Sequence, residues 1–247
     1  LPQFIETAYF KNTFSTGSVI GNKDLVPVEN LNFDLKWELF PEQGELISVG
    51  AFYKQLKNPI ARVESSNNVM TFFNVGSSAQ VAGAEIEFKK NLLTTTNEYG
   101  ENILSVGANV SYLYSTQKLQ NEKAIFTAFN GTSKLQGASP LLANADVSYL
   151  LNANKLKWTS TLVFNYFSDR VFAIGTNGFR NVIEKSVPTL DFITSATLKN
   201  TWGINLKARN ILNPAIELER ESDQGNNITL QSIKRGVDLS VGLTYKF

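Results

Sequence analysis

From Val237 to the last residue the chain alternates without a break. Val237, Leu239, Val241, Leu243, Tyr245 and Phe247 share one register, and Asp238, Ser240, Gly242, Thr244 and Lys246 share the other. A period of two is the signature of a β-strand, because successive side chains leave opposite faces of the pleat. One face of this strand is apolar; the other is polar or small. Two environments satisfy it. In a water-soluble sheet the apolar face covers a core and the polar face meets solvent. In a transmembrane barrel the apolar face meets lipid and the polar face lines a wet lumen. The closing strand alone fits both.

The same alternation recurs along the chain. "LNFDLKWELF" sets Leu31, Phe33, Leu35, Trp37 and Leu39 against Asn32, Asp34, Lys36 and Glu38. "AGAEIEFKKN" sets Ala84, Ile86 and Phe88 against Glu85, Glu87 and Lys89, and "NILSVGANVSYLYS" sets Val106, Ala108, Val110, Tyr112 and Tyr114 against Gly107, Asn109 and Ser111. Comparable runs begin near Ile47, Leu141, Lys157, Leu190 and Trp202. With "PQFIETAYF" at the start, the pattern predicts about ten strands and no helix, each of roughly nine or more residues, a length suited to a tilted membrane crossing.

Connections and aromatic residues separate the two environments. Short links ("PEQG", "NANK", "NT", and the moderate "LLTTTNEYGE") alternate with long ones over 11–25, 57–78, 117–139, 170–186 and 213–235. Tight turns at one end and long loops at the other are the outer-membrane barrel pattern. Trp37, Tyr149, Trp158, Trp202, Tyr245 and Phe247 fall near the short-turn end, and Tyr53, Tyr112, Tyr114 and Tyr166 near the long-loop end. Two girdles of amphipathic rings are expected where a barrel meets the two lipid–water boundaries. The fold class read from these features is all-β, an antiparallel transmembrane β-barrel, with the whole of 1–247 as one part of it.

Composition narrows the chemistry. Charged residues are 18% of the 247, the formal net charge is +1, and there is neither cysteine nor histidine. Zinc sites built on Cys or His, Ser-His-Asp triads and disulfides are therefore excluded. Near-neutrality gives no electrostatic footprint for nucleic acid. No apolar run reaches the ~18 residues of a membrane-spanning helix. The chain begins at Leu1 without a leader, which reads as a mature or fragmentary start.

The polar register would face the lumen. It holds Asp34, Lys36, Glu38, Glu85, Glu87, Lys89, Asn109, Asp146, Lys157, Asp191, Lys199, Lys207, Arg209, Asp238 and Lys246. Charges are too costly for lipid contact, so these belong against water or protein. Mixed signs suit an electrostatically satisfied wall rather than an ion-selective ring, and no catalysis, metal site or cofactor is expected. Glu217, Glu219, Glu221 and Asp223 alternate in the last long loop, as a solvated hairpin face or, less simply, as ligands for a hard cation. Phe72, Phe73, Phe126, Phe129, Phe172 and Phe179 fall in long loops, where aromatics call for a partner: they are candidates for contact with a ligand or a lid, or for packing against one another.

Four ordered stretches carry a resemblance: "LPQFIETAYF" with "GNKDLVPVENLNFDLKWELFP"; "ISVGAFYKQLKNPI" with "FFNVGSSAQVAGAEIEFKKNL"; "LQGASPLLANADVSYL"; and "KARNILNPAIELERES" running to "KRGVDLSVGLTYKF". The sequence resembles the C-terminal barrel portion of TonB-dependent outer-membrane receptors, in particular the Bacteroidetes type that includes SusC-like transporters. The resemblance implies a 22-stranded barrel with a plug, of which this chain supplies about ten C-terminal strands. It also implies energised nutrient uptake in the bacterial outer membrane and coupling to the TonB system through a missing N-terminal part. A SusD-like surface lipoprotein is an implied partner. The resemblance further gives Tyr245 and Phe247 a role as the signal read by the barrel-assembly machinery. The competing readings are a self-closed small barrel acting as a passive channel and a structural subunit of an envelope complex.

Overall fold

The computed structural model describes residues 3–7, 11–13, 17–64, 69–98, 100–119, 131–176, 179–220, 222 and 226–247. In chain order, α1 spans Phe4–Thr7, followed by β1 (Lys11–Thr13), β2 (Gly17–Ile20), β3 (Glu29–Leu39), β4 (Leu46–Lys57), β5 (Ile60–Glu64) and β6 (Val69–Asn74). Then come β7 (Ser78–Asn97), β8 (Gly100–Leu119), β9 (Gly131–Ser133), β10 (Leu141–Ala153), β11 (Leu156–Phe167) and β12 (Arg170–Ala173). The chain closes with β13 (Val182–Glu184), β14 (Val187–Leu198), β15 (Trp202–Arg209), β16 (Ala215–Arg220), β17 (Ile228–Lys234) and β18 (Asp238–Tyr245).

Nine long strands form an antiparallel wall in the order β18-β15-β14-β11-β10-β8-β7-β4-β3, and β9 pairs onto β8 as the tenth strand of that sheet. Register carries the two faces from strand to strand. Lys36 pairs with Gly50 and Gly50 with Glu85; Glu85 then pairs with Ser111. On the other face Trp37 pairs with Val49 and Val49 with Ile86, which pairs with Val110. A one-residue slip would exchange the faces of a whole strand, so the alternation itself fixes the register. The apolar face is bare: Leu239, Val241 and Leu243 are 73%, 73% and 74% exposed. Hydroxyls on that face satisfy one another. Trp158 Nε1 donates to Thr194 Oγ1 at 2.8 Å, and the Ser160 and Thr194 hydroxyls lie 2.7 Å apart.

The short-turn end is tight. Lys199 and Asn200 adopt φ of 52° and 57°, the left-handed pair that a two-residue reversal demands. The aromatic residues expected there meet in pairs: Tyr149 with Trp158 at 5.6 Å, Trp202 with Tyr245 at 4.6 Å, and Tyr245 with Phe247 at 5.1 Å between centroids.

The packed core lies at the other end, in the long connections. β12-β13-β16-β17 form a four-stranded sheet in the same lateral order as the wall strands β11-β14-β15-β18 that they prolong. A second sheet, β1-β2-β6-β5, stands over the other flank, with β2 and β6 parallel. The two sheets share an apolar core of Val19, Met70, Phe72, Ala173, Val182 and Leu218, beside a second cluster of Ala61, Val63, Val75, Val171 and Ile174. Each fully buried Val or Ile contributes roughly 1.5–3 kcal/mol relative to exposure. They are also tied through the backbone: Glu64 N–H donates to Ile174 O, and Ile174 N–H donates to Arg62 O, both at 2.9 Å.

Four expectations from the sequence need correction. Residues 4–7 form a single helical turn rather than a strand, and the described part of "PQFIETAYF" pairs with no wall strand. "LLTTTNEYGE" is mostly strand, with β7 running to Asn97 and β8 starting at Gly100. The extra residue at the register shift between Asn91 and Leu93 leaves Asn91 N–H free to donate to the buried Glu45 carboxylate at 3.1 Å. Lys199 belongs to the β14–β15 turn rather than to the lumen wall. The described parts of the long connections carry paired strands rather than open loops.

Candidate functional site

The inner face of the wall assembles the polar residues that the alternation selected. Ser111 Oγ donates to Glu85 at 3.3 Å, Asn144 Nδ2 donates to Asn109 Oδ1 at 2.7 Å, and Lys36 pairs with Glu38 at 2.7 Å. Ser148 joins Asp146 at 3.4 Å and Thr161 at 3.0 Å. Asp34 lies beside Lys36 on this face, and Glu87 lies opposite Asn109. Lys207 faces Ser240, and Arg209 faces Asp238. Phe52 is an apolar exception, and its ring lies over Gly83, where a Cβ would come within 2.4 Å of it. The described inner face is thus a polar surface on which Lys36 and Glu38 form an ion pair and the other polar contacts are hydrogen bonds to serine, threonine and asparagine side chains.

The loop aromatics divide by burial. Phe72 is 4% exposed and belongs to the core between the sheets; Phe73 and Phe172 pack against that core. The Arg62 guanidinium sits 4.3 Å from the Phe172 ring centre and 5.8 Å from that of Phe72. Burial pushes Arg62 down from its usual value, opposed by the charges of Glu184 and Glu6. Of the four described, Phe179 alone is open, 59% exposed, with Arg220 4.9 Å from its ring centre. Phe126 and Phe129 lie outside the described residues.

Ion pairs brace the canopy of loop sheets. Glu64 and Arg220, from opposite sheets, meet at 2.6 Å with side chains only 6% and 12% exposed. Arg170 bonds Glu184 at 2.8 Å. Lys185 bonds Asp169 and lies 3.8 Å from Glu219. Burial is the largest single influence on Asp169 and raises it, but the bonds from Lys185 and Ser186 together hold its carboxyl below the usual value. Its bond to Asp169 raises Lys185. The alternating acids of the last loop are hairpin surface: Glu217 accepts from Ser232 at 3.0 Å and Glu219 from Asn227 at 3.2 Å. Glu221 and Asp223 lie outside the described residues, and no group of three or more metal-ligating side chains occurs among the described ones.

Where wall becomes canopy, a cavity of about 600 Å³ opens on the polar face, floored by Phe167, Val187, Pro214 and Ile216. An asparagine corner shapes it. Asn210 and Asn213 take φ of 56° and 44°, a conformation asparagine tolerates better than most residues. Asn210 Nδ2 donates to Gly236 O at 2.7 Å, Gly236 N–H donates to Asn213 Oδ1 at 3.0 Å, and Asn210 N–H donates to Asp191 at 2.8 Å. This corner fixes the end of β15 against the start of β18, and with them Arg209 and Asp238. Sequence reasoning had selected Asp191, Arg209 and Asp238 but missed Arg170, Glu184 and Arg235 in the lining. The pair of asparagines in "NILN" is the local signal that marks the corner.

A continuous antiparallel wall, apolar outside and polar inside, with tight turns and aromatic pairs at one end and folded loops at the other, defines a transmembrane β-barrel. The family comparison agrees. Residues 1–211 match the model of the TonB dependent receptor-like β-barrel, and the chain belongs to that family of bacterial outer-membrane barrels. Among solved structures it is similar to the FrpB iron transporter from Neisseria meningitidis (F3-3 variant). That match has a TM-score of 0.53 and 15% identity, over 93% of this chain and 32% of that one. The chain therefore spans about a third of that transporter's length, and at this identity the likeness is one of fold. No curated protein sequence matches it as a relative.

Proposed function

We propose that this chain is the C-terminal wall of a TonB-dependent receptor of the SusC-like, Bacteroidetes type, which takes up a nutrient across the outer membrane. The single observation that carries the reading is the two-faced wall under a folded canopy, set within the family match. The remaining strands, the plug and the TonB-contacting segment would come from sequence outside 1–247. The coverage of 32% of the FrpB transporter supports this, as do the outer edges of β3 and β18, which do not pair with each other. A self-closed channel built from this chain alone would need that pairing. Ligand would meet the canopy first, with Phe179 the described loop aromatic placed to touch it or a lid lipoprotein.

Uptake tests the reading. Cells lacking the receptor and cells lacking TonB should lose accumulation of the same nutrient, whereas receptor-dependent accumulation that persists without TonB would replace this reading with a passive channel. Phe247, whose ring is fully exposed apart from its edge contact with Tyr245, is the proposed assembly signal. Deleting it should lower the amount of receptor in the outer membrane; normal assembly of that variant would remove the role.

A further inference from the structure

The cavity at the wall–canopy junction carries an unusual set of charges. Arg170 and Glu184 neutralise each other in their 2.8 Å bond. That leaves two guanidinium groups, Arg209 and Arg235, and two carboxylates, Asp191 and Asp238, around an apolar floor. Asp238 pairs with Arg209 in register across β15 and β18, and Asp191 stands one step beyond the Phe192–Ala208 pair on the other flank of Arg209. Neighbouring strands lie only about 4.8 Å apart. Yet Arg209 forms an ion pair with neither acid, and among the described residues Arg235 and the Asp238 carboxylate have no hydrogen-bond or ion-pair partner either. Three charges of alternating sign thus lie in one row across three strands beside a cavity. One Asp191 oxygen accepts from Asn210 N–H, and its second oxygen, Arg209 and Asp238 are without a partner among the described residues. The cavity's volume falls within the roughly 300–1,000 Å³ typical of small-molecule sites.

We propose that this cavity is a binding subsite for a zwitterion with an apolar body, whose carboxylate is received by Arg209 and Arg235 and whose ammonium is received by Asp238 and Asp191. A guanidinium fork matches a carboxylate in two parallel bonds, and a carboxylate accepts from an ammonium. A simple anion or cation would leave one pair of wall charges unanswered, and a zwitterion answers both. Phe167, Val187 and Ile216 would cover the apolar body. The asparagine corner keeps both charged strands in place before ligand arrives, which lowers the ordering cost of binding. The assignment rests on the reading of the canopy end as the side where ligand enters.

Calorimetric titration of the purified full-length receptor tests it, with the dipeptide Phe-Leu as probe and its N-acetyl and C-terminal amide derivatives as singly charged controls. Phe-Leu should bind saturably, and each derivative should bind at least tenfold more weakly. Arg209→Gln should erase the preference for Phe-Leu over its amide, and Asp238→Asn the preference over the N-acetyl form. The absence of saturable binding to the unaltered receptor would overturn the proposal, as would equal binding of all three compounds. So would variants that leave both preferences intact. If TonB-dependent uptake persists without such binding, this inference alone fails. If binding occurs but uptake is independent of TonB, the proposed function fails and the subsite stands.

Discussion

Replacing Glu64 by glutamine keeps the shape of the side chain and removes its charge, leaving Arg220 buried without a counter-ion. At 2.6 Å and an effective dielectric near 20, the attraction between the two groups is about 6 kcal/mol before desolvation. Taking two ions out of water costs several kcal/mol each, so the intact pair is close to neutral relative to an apolar pair of similar size. The imbalance is aggravated because, among the described residues, Glu64 Oε2 and Arg220 Nη1 are buried without hydrogen-bond partners. Breaking the pair from one side, by contrast, costs about 3–5 kcal/mol. Glu64→Gln and Arg220→Met should therefore each open the contact between β5 and β16. Amide hydrogen exchange at 60–64 and 216–220 should speed up by roughly 100-fold or more, since each 1.4 kcal/mol is tenfold. The double variant Glu64→Leu/Arg220→Met should return to near the original rate. Additive losses in the double variant, or no change in either single one, would refute the reasoning.

On β18, Val241→Arg should lower assembly into lipid vesicles by about 2–4 kcal/mol of folding free energy, and Ser240→Arg, one residue away on the wet face, by far less. A urea titration of folded receptor reads the difference, and equal effects would contradict the assignment of faces. The Asp169–Lys185 contact should depend on pH at both extremes. Asp169 is depressed, so its contribution is present above the usual carboxylate pKa and lost as pH falls through its folded value. Lys185 is raised, so its contribution is present below 10.5 and lost as pH rises through its folded value. Exchange at Ser186, corrected for intrinsic rates, should be flat from about pH 5 to 9 and accelerate in acid, with Asp169→Asn removing the acid limb. Asn210→Ala and Asn213→Ala should each destabilise the corner, because each loses a side-chain bond with Gly236 and strains a left-handed backbone by about 1 kcal/mol. Faster local proteolysis within 209–237 would show the loss, and unchanged cleavage in both variants would refute it.

The wall was legible because its two faces meet different media over its whole length. Each substitution of the period would place a charge in lipid or an apolar group in water, so the pattern around Leu31–Leu39 or Leu141–Leu151 survives unblurred. Where that constraint lapses, so does the reading. The tips of β7 and β8 beyond Asn91 are strands held by pairing alone, and their threonines and asparagines look like a loop. At 4–7 a stretch too short to display either period became a helical turn. In the short canopy strands β5, β6 and β12 the buried positions Ala61, Val63, Met70 and Phe72 do alternate, but the other face carries the half-buried apolar Ile60, Phe73 and Phe172, so residue type blurs the period. Phe72 is a loop aromatic by its place in the sequence, yet its ring fills the core. Glu64 and Arg220 stand 156 positions apart, and no local pattern announces their bond. The cavity was half legible: the inward register exposed Arg209 and Asp238, whereas Arg170, Glu184 and Arg235 belong to the canopy and meet them only through the folded corner.

A wall of alternating strands with lipid on one side and a wet lumen on the other can be probed position by position. The chain contains no cysteine, so single cysteines can be introduced along β18 in the assembled receptor, any others in the full protein first being changed to serine. Spin labels at each position from Asp238 to Tyr245, in lipid bilayers, would report collision with dissolved oxygen, which concentrates in lipid, and with a water-soluble nickel chelate. A period of two is expected, with Leu239, Val241 and Leu243 reached by oxygen and Ser240, Gly242 and Thr244 shielded from it. A uniform profile, or oxygen contact at the even positions, would contradict it.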